Sequence, residues 1–167
     1  DGKGIYVEFF NNNDLEGTPD ATGYYNKALN CSTFGAWGFA EGISTDKISV
    51  RASGKFVAPF TGEMKYALSS DNGYIFKING KVHEESKGGM RRGFGFRRGV
   101  EYKSFNVVKG ETYDIVIEYK RGTGNFAMLN ADICERRLIE FDNVAKDVAD
   151  ADVIIVIGGI SAQLEGE

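Results

Sequence analysis

The sequence predicts a mainly β fold: an antiparallel β-sandwich or barrel-like domain over residues 1–137, followed by a short helix and strand over 138–167 that open an α/β domain. Three observations point there. At least eight short runs alternate apolar and polar residues and are separated by Gly, Asn, Asp or Pro turns, the spacing of an all-β domain. Twelve Phe and eight Tyr stand beside only two Pro and one Trp, a composition that suits pleated, half-buried strands. Beyond Arg137 the two-residue period gives way to helix spacing and then to a continuous apolar run.

Taken in order, Gly4 to Phe10 reads as a strand closed by Asn11-Asn12-Asn13-Asp14, and Leu15 to Pro19 as a loop. Residues 20–46 show weak periodicity and many small side chains, and are expected to be mostly irregular. Trp37 lies among them, read either as a lid over a sheet edge or as a stacking platform for a sugar ring. Lys47 to Gly54 alternates as a strand, with Arg51 on its exposed face as a solvated or paired charge. Lys55 to Pro59 continues to a turn. Met64, Tyr66 and Leu68 then alternate with polar neighbours, as do Tyr74, Phe76 and Ile78, and each trio is placed on one buried face. Between them Ser69-Ser70-Asp71-Asn72-Gly73 reads as the polar turn of a central hairpin, with Gly73 free to take positive φ. Asn79-Gly80 fits a two-residue hairpin turn leading into Lys81. Tyr102 to Val108, Tyr113 to Tyr119 and Phe126 to Ile133 supply the remaining strands.

Residues 87–99 are the one biased segment, with Arg91, Arg92, Arg97, Arg98, Phe94 and Phe96 among glycines. Arg92-Gly93-Phe94-Gly95-Phe96 imitates an RNA-stacking strand, but Arg97 and Gly99 fall where that motif needs an apolar residue and an aromatic, and no flanking helices complete the fold. The preferred reading is a cationic loop whose arginines bond hydroxyls and whose phenylalanines stack on sugar rings; a plain solvated connection stands beside it.

The totals bound the function. The net charge of −4 disfavours nucleic acid, and no apolar run is long enough to span a bilayer. His83 is the sole histidine, so no histidine cluster for zinc can be assembled, and no Ser-His-Asp set is read around it. Cys31 and Cys134 read as thiols more readily than as a bridge. The chain starts at Asp1 without Met, and is expected to be cut from something longer.

Residues 3–135 resemble the PA-14 domain, the protective-antigen-like β-domain. The resemblance is carried by Leu68-Ser69-Ser70-Asp71, Gly73 and Gly80-Lys81, by the Asn-rich turn before Leu15-x-Gly17-x-Pro19, by Val50-Arg51-x-x-Gly54, and by Val107-x-Lys-Gly-Glu-x-Tyr113. The tail resembles a place in glycoside hydrolase family 3: Phe141, Val144, Ala145 and Val148 at helix spacing, Ala151-Asp152, the strand Val153 to Ile157, the loop Gly158-Gly159, and Leu164-Glu165-Gly166-Glu167. Some members of that family carry a PA-14 domain just before this helix.

The resemblance implies a substrate-recognition insert in a retaining β-glucosidase or β-xylosidase. Its candidate carbohydrate contacts are Asp71, Asn72, Tyr74, Arg91, Arg92, Phe94 and Phe96. Glu165 is the implied acid/base, with Glu167 next. The implied nucleophile is an aspartate of a domain ahead of this chain, so the fragment alone is expected to be inactive. In adhesins with this domain paired aspartates hold calcium with the sugar; here Asn72 removes one charge from the pair, and neither a metal nor another cofactor is assigned. The implied partners are a β-linked glycoside and the rest of the parent glycosidase, with no nucleic acid or membrane and with self-association left open. The implied location is periplasmic or secreted. An independent carbohydrate-binding or adhesion module, and a structural oligomerisation insert, are the alternative readings.

Overall fold

The computed structural model describes residues 4–26, 28–33, 39–44, 46–88, 102–122, 127–134, 146, 148–151 and 153. Among these, ten antiparallel strands form two sheets. They are β1 (Ile5–Phe10), β2 (Ala21–Tyr25), β3 (Leu29–Ser32), β4 (Ser49–Val57), β5 (Gly62–Ser70), β6 (Asn72–Ile78), β7 (Lys81–Gly88), β8 (Lys103–Val107), β9 (Thr112–Lys120) and β10 (Met128–Cys134). One sheet has the order β2-β1-β4-β9-β6-β7 and the other β3-β10-β5-β8. The predicted antiparallel, mainly β class is what the chain adopts.

The period of two explains the layers. Along β9, Tyr113, Ile115, Ile117 and Tyr119 are buried while Asp114 and Glu118 face outward. Phe76 of β6 is fully buried, which stabilises by about 2–3 kcal/mol. It lies 4.9 Å, centroid to centroid, from Tyr66 of β5 and 6.3 Å from Phe105 of β8, so aromatic packing joins the two sheets. On the outer face of the larger sheet, the register sets Arg51 between Glu8 and Glu118. Arg51 pairs with both, at 3.5 and 3.9 Å, and Lys77 bonds Glu118 at 2.8 Å. Arg51 is therefore the paired charge of the two readings offered for it.

Two expectations change and one is refined. Within residues 20–46, expected to be mostly irregular, Ala21–Tyr25 and Leu29–Ser32 are short strands. Their weak intrinsic pattern is overridden by pairing with β1 and β10. Next, β5 and β6 do not pair with each other. β5 belongs to the smaller sheet and β6 to the larger, so Asp71 is a corner where the chain crosses between layers. Finally, Gly73 does not have positive φ. A Cβ there would lie 2.7 Å from the Ser86 carbonyl oxygen, so glycine is required by the close approach of β7.

The Asn79-Gly80 turn is as expected, with both residues in the left-handed region at φ 50° and 74°. Cys31 and Cys134 are both thiols. Cys31 is opposite Leu129 in the β3–β10 ladder, leaving Cys134 five residues further on, about 17 Å away. The tail's helix and strand fall mostly outside the described residues. Within it, Ala149 N–H donates to the Lys146 carbonyl and Ala151 N–H to that of Val148.

Candidate functional site

The register gathers the connections at two opposite ends of the sandwich. The 11–20, 33–48, 71, 89–102 and 121–127 connections leave from one end. The other end holds Gly4 and Cys134, the first and last described residues of the sandwich. A cavity of about 510 Å³ opens at that second end, beside Gly4 and Cys134 and lined by Ile5, Phe56, Met64, Ile115 and Ile133. Among the candidate recognition residues, Asp71, Asn72 and Tyr74 lie at the end remote from these two.

At that end the Asp71 corner is held by its own side chains. Asp71 Oδ1 accepts hydrogen bonds from the Tyr119 hydroxyl at 2.6 Å and from the Met128 N–H at 2.7 Å. The Asp71 N–H donates to the Met128 carbonyl. The Ser70 hydroxyl donates to the carbonyl of Asn72. Burial, and then the bond to Asp71, push the Tyr119 phenol far above its ordinary value, which keeps it a neutral donor.

Asn72 Nδ2 donates to the Lys120 carbonyl at 2.7 Å. An ionised carboxylate has no hydrogen to give, so this contact favours Asn over the Asp common in the resembled motif. Gly122 makes room, since a Cβ there would lie 2.9 Å from the Asn72 side chain. Beside Asn72 a groove of about 210 Å³ runs along the larger sheet, lined by Asn72, Gly73, Tyr74, Ile75, Glu85, Ser86, Glu118 and Lys120. Its acidic, basic, amide and hydroxyl groups around one Ile suit a polyhydroxylated ligand with an apolar face.

Tyr74 is buried, and its hydroxyl donates to Glu84 Oε1 at 2.6 Å. Glu84 is the polar residue that sequence reading missed. It also accepts from the Tyr66 hydroxyl at 2.8 Å and pairs with Lys103. Burial alone would raise its pKa, but the bonds from Lys103, Tyr74 and Tyr66 outweigh it and hold the carboxyl below its usual value. Burial, and then Glu84, raise the Tyr66 phenol.

Asp71, Asn72 and Tyr74 thus sit together, with much of their bonding capacity directed inward. Arg91, Arg92, Phe94, Phe96, Glu165, Glu167 and Trp37 lie outside the described residues. Among the described residues no group of three or more His, Cys, Asp or Glu side chains is placed to hold a metal, and no helix is long and apolar enough to cross a membrane.

The chain is similar to known proteins in three ways. It is 26% identical over 165 residues to a xylan 1,4-beta-xylosidase of Xylanibacter ruminicola, covering 99% of this chain and 18% of that protein. The chain therefore spans less than a fifth of that relative's length. Its fold resembles the crystal structure of a beta-glucosidase from Kluyveromyces marxianus, with a TM-score of 0.62 at 20% identity, over 88% of this chain and 18% of that one. It also resembles a PA14 sugar-binding domain from an RTX adhesin, with a TM-score of 0.56 at 14% identity, over 80% of this chain and 90% of that one. The PA14 domain profile matches residues 1–133, and with ten strands in two antiparallel sheets over that range the chain belongs to the PA14 domain family.

Proposed function

We propose that this chain is the substrate-recognition part of a β-glycosidase resembling glycoside hydrolase family 3, acting on β-linked glucosides or xylosides. Residues 1–137 are the inserted PA14 domain, and 138–167 begin the parent's α/β domain. The observation that carries this reading is the extent of the xylosidase likeness: it runs over 165 residues, whereas the PA14 match stops at residue 133. That likeness therefore extends past the PA14 match into the tail. The end of the sandwich remote from Gly4 and Cys134, with Asp71 and Asn72, then serves as the wall of the active-site mouth, and the arginines and phenylalanines of Arg91–Arg98 add substrate contacts. Tyr74 supports that wall from behind. Glu165 supplies the acid/base by resemblance, and catalysis needs the nucleophile of another domain. The parent works in the periplasm or outside the cell.

The test is deletion of residues 89–99 in the full-length protein, sparing Lys87 and Gly88 of β7. KM is expected to shift differently for β-glycosides of different aglycones, with kcat little changed. Equal constants across aglycones would favour a structural insert. A second reading, a module that binds glycans by itself, is supported by likeness to most of an adhesin's sugar-binding domain. Saturable binding of a glycan by this chain alone would favour it.

A further inference from the structure

Glu84 occupies an unusual place. β7 and β8 are the edges of different sheets and make no ladder with each other. They are also the two strands from which residues 89–101 depart. At Phe76/Lys77 the β6–β7 register shifts by one: Phe76 faces Glu84 and Lys77 faces Val82, leaving His83 as the extra residue of a bulge. The bulge keeps Glu84 opposite inward-facing Phe76, so a charge on an edge strand points into the sandwich. There its carboxylate meets Lys103 of β8, Tyr66 of β5 and Tyr74 of β6, joining both sheets at one group. The His83 ring, 5.7 Å from those of Tyr66, Phe76 and Phe105, closes the cluster from the bulge itself.

We infer that Glu84 is a positioning residue: it clasps the open edges of the two sheets at the root of the Arg-rich segment, so that this segment departs from two points fixed relative to each other. The inference rests on the recognition role proposed above. A loop tied at one sheet only would see its other anchor drift with the opposite layer. Glu84 removes that freedom with one carboxylate.

The test uses the full-length protein carrying Glu84→Gln, Glu84→Ala, Lys103→Met or Lys103→Arg. In Glu84→Ala, amide exchange across Lys81–Gly88 and Lys103–Val107 is expected to rise at least tenfold relative to Thr112–Lys120. KM is expected to shift with aglycone in the same direction as on deleting 89–99, with kcat unchanged. Glu84→Gln, which keeps an acceptor for the tyrosines, and Lys103→Met should show intermediate shifts, and Lys103→Arg should restore wild-type values. Unchanged exchange in a folded Glu84→Ala protein, or in Glu84→Gln if Glu84→Ala does not fold, overturns the clasp. Faster exchange with wild-type aglycone preference, while the deletion alters it, overturns the positioning role alone. If the deletion itself leaves KM unchanged, the recognition reading fails and the positioning role with it, while exchange still decides whether the clasp exists.

Discussion

The Tyr119 hydroxyl donates to Asp71 Oδ1 at 2.6 Å, so the acid read as a sugar contact is also the pin that fixes the corner between the sheets. Tyr119 is fully buried, and the same oxygen holds the Met128 N–H. Asp71→Ala orphans both donors, each costing about 1–3 kcal/mol. It is expected to lower stability by about 3 kcal/mol in urea unfolding, whereas Asp71→Asn, which keeps an acceptor oxygen, is expected to cost about 1 kcal/mol. Lost glycan affinity in Asp71→Ala alone would therefore report a collapsed corner. Comparison with Asp71→Asn at equal foldedness separates support from contact.

The turn glycines differ in kind, and so do their substitutions. Gly80 takes φ 74° with nothing near its missing Cβ. Gly80→Ala is expected to cost about 1 kcal/mol of backbone strain. Gly73→Ala forces a Cβ to within 2.7 Å of the Ser86 carbonyl oxygen and must displace β7 from β6. It is expected to cost about 2–3 kcal/mol, seen as a larger fall in thermal midpoint than for Gly80→Ala. The reverse order would mean that β7 yields easily.

What could be read from the sequence follows how local each cause is. β9 and β6 announce themselves because their alternation is set by which side chains must be buried, and Asn79-Gly80 because its φ demand is local. β2 and β3 do not, since Ala21-Thr22-Gly23 and Leu29-Asn30-Cys31-Ser32 become strands by pairing with β1 and β10. Ser70-Asp71-Asn72 reads as a turn in any case. Whether the strands beside it pair or part to different sheets depends on β9 and β10, whose Tyr119 and Met128 lie 48 and 57 residues beyond Asp71. Glu84 was hidden by phase: with Glu85 adjacent and a bulge at His83, no local rule decides which acid faces in. The candidate site was legible as residue types at Asp71 and Asn72, but not as their inward bonding.

Cys31 offers a chemical probe of the core. It is buried in β3, and burial pushes its pKa to about 12, so at pH 8 the thiolate is about one part in ten thousand. Cys134 is half-buried. Alkylation of the native chain is expected to label Cys134 first, with Cys31 following only at the rate of unfolding. Equal labelling of both would show that β3 opens locally from β10.

The Glu84 cluster carries the last prediction, a pH window with its sign set by the directions of shift. Glu84 is held below its ordinary value by Lys103, Tyr74 and Tyr66 despite burial. Its stabilisation is then complete above the unfolded glutamate value of about 4.3 and lost as pH falls through the lower folded value. Tyr66 is raised, mainly by burial and then by Glu84. Its contribution is complete below the unfolded tyrosine value of about 10 and fades above it. The stability difference between wild type and Glu84→Gln is therefore expected to be flat from about pH 5 to 9 and to shrink below about pH 4. Thermal unfolding of the two proteins across pH measures it. Because Lys103 is half exposed, added salt should shrink the difference on the plateau without moving its acid edge far. A difference that persists undiminished at pH 3 would mean that Glu84 acts through shape and not through charge.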